Sequence, residues 1–213
     1  MNTFMITALM WTITAPAPSP SDSIWMLVDA AVEAEEDRRK EILLELEADM
    51  RASLALDPSS VERRYALAVV LGARANTEGG QTKVRAAAEL HELLVDVLYA
   101  DPGHGGARHL LGRLQAGVRR MSRITRWLAT NLLGGGALKQ ATWEAAEENI
   151  SYAEAKAPEI PDHHLQLALL YRDTDRPGLA AEELHHAMSL AATSAMDLAV
   201  QAEASRLWVQ LQD

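Results

Sequence analysis

The stretch from Pro158 to Leu190 leaves this chain few architectures. It carries Pro158, His164, Leu167-Ala168 and Tyr171, then Ala180, Leu184 and Ala187. These can be set against a helix–turn–helix unit of about 34 residues, with Pro158 closing the preceding unit. Tyr171 then falls where the first helix of the pair (helix A) carries its aromatic. Ala180 and Ala187 fall where helix B must be small, on either side of a bulky Leu184. Two helices joined by a short turn approach closely only when small residues on one meet large ones on the other. The turn runs from Asp173 to Gly178, with Asp175 as the expected N-cap and Pro177 in the first turn of helix B. A pair of this kind cannot bury its apolar face alone, so the pattern predicts stacked pairs.

Composition supports that reading. The chain has 213 residues, 48% hydrophobic but only 5% aromatic, with abundant Ala and Leu. Such usage favours helices. The expected fold is all-α, a tetratricopeptide-like α-solenoid of about four helix pairs plus a C-terminal closing helix. A net charge of −10 argues against wholesale nucleic-acid binding. With no cysteine, thiol catalysis, disulfides and zinc ribbons are excluded.

Taken in order, the chain divides into residues 1–20, signal-peptide-like or disordered, and residues 21–213, the helical repeat domain. Met5 to Ala15 is an apolar run of signal-peptide length, and Ala15-Pro16-Ala17 has the small-x-small form of a cleavage site. No Lys or Arg precedes it. If the segment is a signal peptide the protein is exported, to the periplasm or outside the cell; otherwise it is cytoplasmic. Ser21-Asp22-Ser23 offer caps for a helix from Ile24, which opens a degenerate first repeat ending at Asp57-Pro58. Ser59 with Glu62 reads as a capping box. Pro58 and Pro102 are 44 positions apart, and Pro102 and Pro158 are 56 apart. The first excess reads as a long polar turn over 75–82. The second reads as a helix running on from Leu111-Gly112 through Trp127 to Gly134. Ser194 caps a last helix with Leu198, Leu207, Trp208 and Leu211 on its apolar side.

From about Leu54 onward the chain resembles the regulator of microtubule dynamics family and its bacterial relatives. The resemblance rests on Leu56-Asp57-Pro58, Leu71-Gly72, Gly79-Gly80, Asp101-Pro102, Leu111-Gly112-Arg113, Leu132-Leu133-Gly134, Thr142-Trp143-Glu144-Ala145 and the final extra helix. It implies an all-helical repeat domain. In animal members it implies a tether at organelle contact sites and, for at least one, phospholipid binding. This chain has Leu114 where animal members carry Trp. A microtubule role is not carried over.

Two sets of residues are candidates for binding. Helix A positions that face the concave side of such a solenoid are Tyr65, Val69, His109, Arg113, Leu165, Leu169 and Arg172. They make a mixed apolar and cationic groove suited to an extended or helical peptide with an acidic group. Arg113 should point into it and need an anionic partner, from this chain or from a ligand. The second set is a basic row, Arg119, Arg120, Arg123 and Arg126. Interleaved with Val118, Met121, Ile124, Trp127 and Leu128, it suits anionic phospholipid or an acidic partner. The expected partner is a protein or peptide, with anionic phospholipid as the alternative and no nucleic acid. His163-His164 and His185-His186 lie at helix ends that antiparallel packing brings together. No carboxylate-anchored set accompanies them in the sequence, so no metal and no cofactor is expected. No nucleophile with a base and an orienting partner can be read, and Gly134-Gly135-Gly136 lacks the order of a phosphate loop, so no enzyme is expected.

Overall fold

Prolines and small polar residues divide the chain into helices. The computed structural model describes residues 20–132 and 136–212. The apolar run at Met5–Ala15 and the pair Gly134-Gly135 lie outside them. The described residues form ten α-helices and a 3₁₀ segment, with no strand among them. The helices are α1 (Pro20–Val32), α2 (Glu36–Leu56), α3 (Val61–Thr77), α4 (Gly80–Ala100) and α5 (Gly105–Arg120). They continue as α6 (Arg123–Leu132), the 3₁₀ segment (Gly136–Gln140), α7 (Trp143–Lys156), α8 (Pro161–Asp173), α9 (Pro177–Ser189) and α10 (Ala195–Gln212). None is both long and apolar enough to cross a membrane.

The boundaries have local causes. Asp57 and Asp101 end α2 and α4 before prolines, and each carboxylate accepts the backbone N–H two residues on, from Ser59 and Gly103. Thr142 caps α7 by accepting from Ala145 N at 3.1 Å, and His104 caps α5 through Nδ1. Pro161 and Pro177 open α8 and α9, where a missing N–H costs nothing. Ser60, not Ser59, caps α3: its hydroxyl accepts from Arg63 N while Ser59 donates to Asp57. Asp175 is not a cap either. It takes φ 59°, a left-handed turn conformation that Asp tolerates, and Arg176 holds the cap position without a side-chain bond to the helix N-terminus.

Pairing gives an α-solenoid-like stack. The tight hairpins are α3 with α4, α5 with α7, and α8 with α9. The small–large–small set of α9, Ala180, Leu184 and Ala187, is buried as expected, and α7 repeats it with Ala146, Ile150 and Ala153. Gly112 is where α5 meets α7 most closely. A Cβ there would stand 2.6 Å from Ile150 Cγ1 and 2.9 Å from the Ala146 carbonyl oxygen. The close approach is thus made by the helix that completes the pair, not by helix B of the preceding one.

Both insertions differ from expectation. Residues 75–82 are not a long turn. Both helices lengthen, to 17 and 21 residues, and only Glu78-Gly79 connects them. The third unit's helix does not run on. It breaks at Met121-Ser122, where Met121 is extended, and the Ser122 hydroxyl accepts from Thr125 N to restart it as α6. On α10 the buried face is Val200, Ala204 and Leu207, while Leu198 is exposed.

Candidate functional site

The first helix does not stack as one half of a regular pair. It starts at Pro20, so Ser21-Asp22-Ser23 lie inside its first turn. Helix α1 packs more on α3 than on α2, and it reaches α10. Its buried residues are Ile24, Val28 and Ala31, at helical spacing. Its C-terminal end is held by Arg39, which donates to the carbonyls of Ala31 and Ala34. The decisive tie is Asp29. Its two carboxylate oxygens accept from Ala195 N at 3.2 Å and Met196 N at 2.6 Å, at the N-terminus of α10. A carboxylate there satisfies orphan donors and meets the positive end of the helix dipole. The first described helix is therefore latched to the last.

Helix α1 borders two cavities. One, of about 490 Å³, is lined by Trp25, Val28, Val69, Leu110, Leu114, Met121 and Met196, with Lys83, Arg113, Arg120 and Gln166 at its polar margin. The other, of about 790 Å³, is lined by Trp25, Met26, Tyr65, His109, Ile160, His163 and Leu190, with Asp29, Lys156, Asp162 and Asp197. Tyr65 is 4% exposed and packs in the same core cluster as Ile24 and Val28 of α1. Burial pushes its phenol up to about 12. That hydroxyl occupies the space a side chain at Gly106 would need.

A buried polar chain forms the floor between the cavities. Asp162 Oδ2 accepts from Arg113 Nη1 at 2.5 Å and bonds His109 Nε2 at 2.9 Å, while Gln166 donates to Oδ1 at 2.9 Å. His109 Nδ1 lies 2.9 Å from His163 Nδ1, so one proton is shared between the two rings. Burial works to raise the Asp162 carboxyl, but the charge of Arg113 and the His109 bond outweigh it and hold the group well below the usual carboxylate range. Burial first, then the neighbouring His109, pushes His163 down to about 3. Arg113 thus finds its anion within the chain. Asp162 is legible only as the residue after Pro161 that opens α8, and nothing in the sequence joins it to Arg113.

The expected groove residues consequently separate. Tyr65 and Val69 lie beneath α1, and His109 and Arg113 meet on Asp162. Leu165 and Leu169 do not line an open groove. They pack with Leu184, Ala187, Val200, Ala204 and Leu207 under α10, which covers that end. Arg172 is exposed and lines neither cavity.

The basic row also divides, because of the break at Met121-Ser122. Arg119 and Arg120 end α5, whereas Arg123 and Arg126 belong to α6. Arg119 stacks over Trp143 at 5.9 Å, Arg120 pairs with Asp173 at 2.6 Å, and Arg126 donates back to the Arg119 carbonyl. Arg123 is exposed beside Ile124 and Trp127, which are 74% and 57% exposed. The four do not share one helix face.

Stacked helical hairpins, a closing helix and a first helix tied to the last define an all-α, solenoid-like domain. The chain belongs to the regulator of microtubule dynamics protein 1-3 family, whose model matches residues 23–212. The match spans α1 through α10, so it begins well before Leu54. No curated protein matches the chain.

Proposed function

We propose that this chain is a non-enzymatic protein-interaction module built from tetratricopeptide-type units, and that its concave side takes an amphipathic helical segment carrying an acidic group. The observation that supports this reading is α1. An amphipathic helix lies along the concave face, buries Ile24, Val28 and Ala31, and docks one carboxylate, Asp29, on a helix N-terminus. Helix-in-groove recognition uses apolar anchors at this spacing, with a polar group fixing direction. The smaller cavity beside it adds apolar walls with Lys83 at the margin, which suits an acidic side chain.

Gly117 gives the test. It lines the smaller cavity, and a Cβ there meets no atom within 4 Å. Gly117→Trp should therefore fill the cavity and leave the fold intact. Affinity capture with the parent chain should recover a protein partner that Gly117→Trp, folded to the same melting temperature, does not recover. Capture of that partner by both forms, or of lipid alone, would reject the proposal.

A second reading rests on α6. Arg123, Ile124 and Trp127 are all exposed on a ten-residue helix, a combination that suits a membrane surface bearing anionic phospholipid. Flotation with anionic liposomes at two salt concentrations tests it. Arg123→Glu with Trp127→Ser should abolish a salt-sensitive association.

A further inference from the structure

Away from the groove, the hairpin of α8 and α9 gathers His164, Glu183 and His186. Glu183 and His186 are three apart on α9, hence on one face, and His164 faces them from the first turn of α8. One potential ligand atom from each lies within 4.8 Å of the others. His164 Nδ1 is 2.8 Å from Glu183 Oε2, and His186 Nδ1 is 4.0 Å from the same oxygen. The two rings stand edge to face with centroids 5.4 Å apart.

The orientation of His164 carries the argument. Its Nε2 lies 2.8 Å from the Pro158 carbonyl oxygen, which can only accept, so Nε2 holds a proton and donates it. Nδ1 is thereby aimed at Glu183 with its lone pair available to a proton or to a cation. A histidine tied by one ring N–H to a backbone carbonyl, with the other nitrogen presented beside a carboxylate, is the arrangement that orients metal-ligating imidazoles. Placing Glu and His at i and i+3 on one helix, opposite a ligand from the facing helix, is how helical bundles build such sites. His164 is 7% exposed and Glu183 19%, whereas His186 is 60% exposed and able to swing inward.

We propose that His164 Nδ1, the Glu183 carboxylate and His186 together bind a divalent transition-metal ion of the zinc class, with a fourth position open to water. Ligand atoms on a tetrahedral zinc ion at about 2.0–2.1 Å from it stand roughly 3.3 Å apart. The 2.8 Å contact must open by about half an ångström and the 4.0 Å one close by somewhat more, movements within reach of side-chain torsions. Two imidazoles and one carboxylate suit zinc, cobalt or nickel better than calcium or magnesium, which prefer oxygen ligands. The ion replaces the proton that Nδ1 otherwise shares with Glu183, and that proton leaves to solvent. The open side adjoins a surface hollow of about 340 Å³ lined by His185, His186 and Trp208. The ion ties α8 to α9 at the end of the stack where α10 begins to cover them.

The test is calorimetric titration of the metal-free full chain, lacking any affinity tag, with Zn²⁺, repeated with Co²⁺ to read its visible absorption. The parent should take up one ion saturably, and its melting temperature should rise with ion concentration. His186→Ala changes a largely exposed side chain, so folding is not at stake. It should weaken Zn²⁺ binding about tenfold or more, as should Glu183→Gln. His185→Ala should bind like the parent. No saturable uptake by the parent would overturn the proposal. So would unchanged affinity in both His186→Ala and Glu183→Gln, which would place the ion elsewhere, for instance at His109 and His163.

Discussion

Gly112 and Gly117 occupy the same helix, and alanine should affect them oppositely. In a helix interior Ala is favoured over Gly by about 1 kcal/mol. At Gly117 nothing offsets that gain, since a Cβ meets no atom within 4 Å. Gly117→Ala should therefore stabilise by about 0.5–1 kcal/mol, largely through the unfolded chain. At Gly112 the added carbon would stand 2.6 Å from Ile150 Cγ1, 2.9 Å from the Ala146 carbonyl oxygen and 3.1 Å from Ile150 N. Two of those atoms are backbone and cannot rotate aside, so α7 itself must move off α5. Overpacking costs about 1–3 kcal/mol, and the backbone obstruction puts this case at the upper end. After the gain in helix propensity, the net loss should be about 2 kcal/mol. In a domain of this size about 1 kcal/mol corresponds to roughly 2–4 °C in Tm. Urea and thermal denaturation of the two variants against the parent measure both signs. If Gly112→Ala matches or exceeds the parent, the close approach of α5 and α7 does not depend on that glycine, and the argument is wrong.

Two further outcomes follow from charged groups. Glu47 sits in an ionic network over three helices: on α2 it accepts from Arg51 at 2.8 Å, it pairs with Arg74 of α3, and Arg51 reaches Glu89 of α4 at 2.5 Å. Burial tends to raise its carboxyl, but the hydrogen bonds from Arg74 and Arg51 prevail and hold it below its ordinary 4.5. A lowered folded-state value contributes stability above the unfolded value, and that contribution is lost as pH falls through the folded one. Glu47→Gln should therefore cost about 1.5–3 kcal/mol at pH 7, and a difference that fails to narrow in urea melts near pH 3 would contradict this. Asp29→Ala should cost about 1 kcal/mol by leaving the Ala195 and Met196 N–H groups without their carboxylate, although the Ser194 hydroxyl still caps α10 through Asp197 N, while Asp29→Asn, which keeps one acceptor oxygen, should cost less. Amide exchange in α1 should quicken in Asp29→Ala; unchanged exchange there would show that the latch does not hold the helix.

The sequence by itself determined what depends on neighbours along the chain. The small–large–small set of α9, Pro177 in its first turn and the proline stops depend on contacts within a few residues or on one adjacent helix. All are where the residues predict them. So is membership of the family, because it rests on the order of such local motifs. Local signals were less secure where two polar residues compete for one role. Ser60 rather than Ser59 caps α3, because Asp57 engages Ser59 first. The break at Met121-Ser122 lacks a glycine or proline, so the hydrophobic periodicity runs through it unmarked.

Tertiary structure alone decided what sits in the groove. Residue positions within a repeat say which side chains face the concave side, but not what covers them. Helix α10 turns Leu165 and Leu169 into core, and Asp29 closes α1 over Tyr65 by bonding Ala195 and Met196, 166 and 167 residues away. The same holds for the ionic pairs. Arg113 finds Asp162 and His164 finds Glu183 across facing helices, at separations no local pattern encodes. A buried charge must have a partner, so the sequence predicts that one exists. Which carboxylate it is depends on how the helices stack, and only the folded chain selects it.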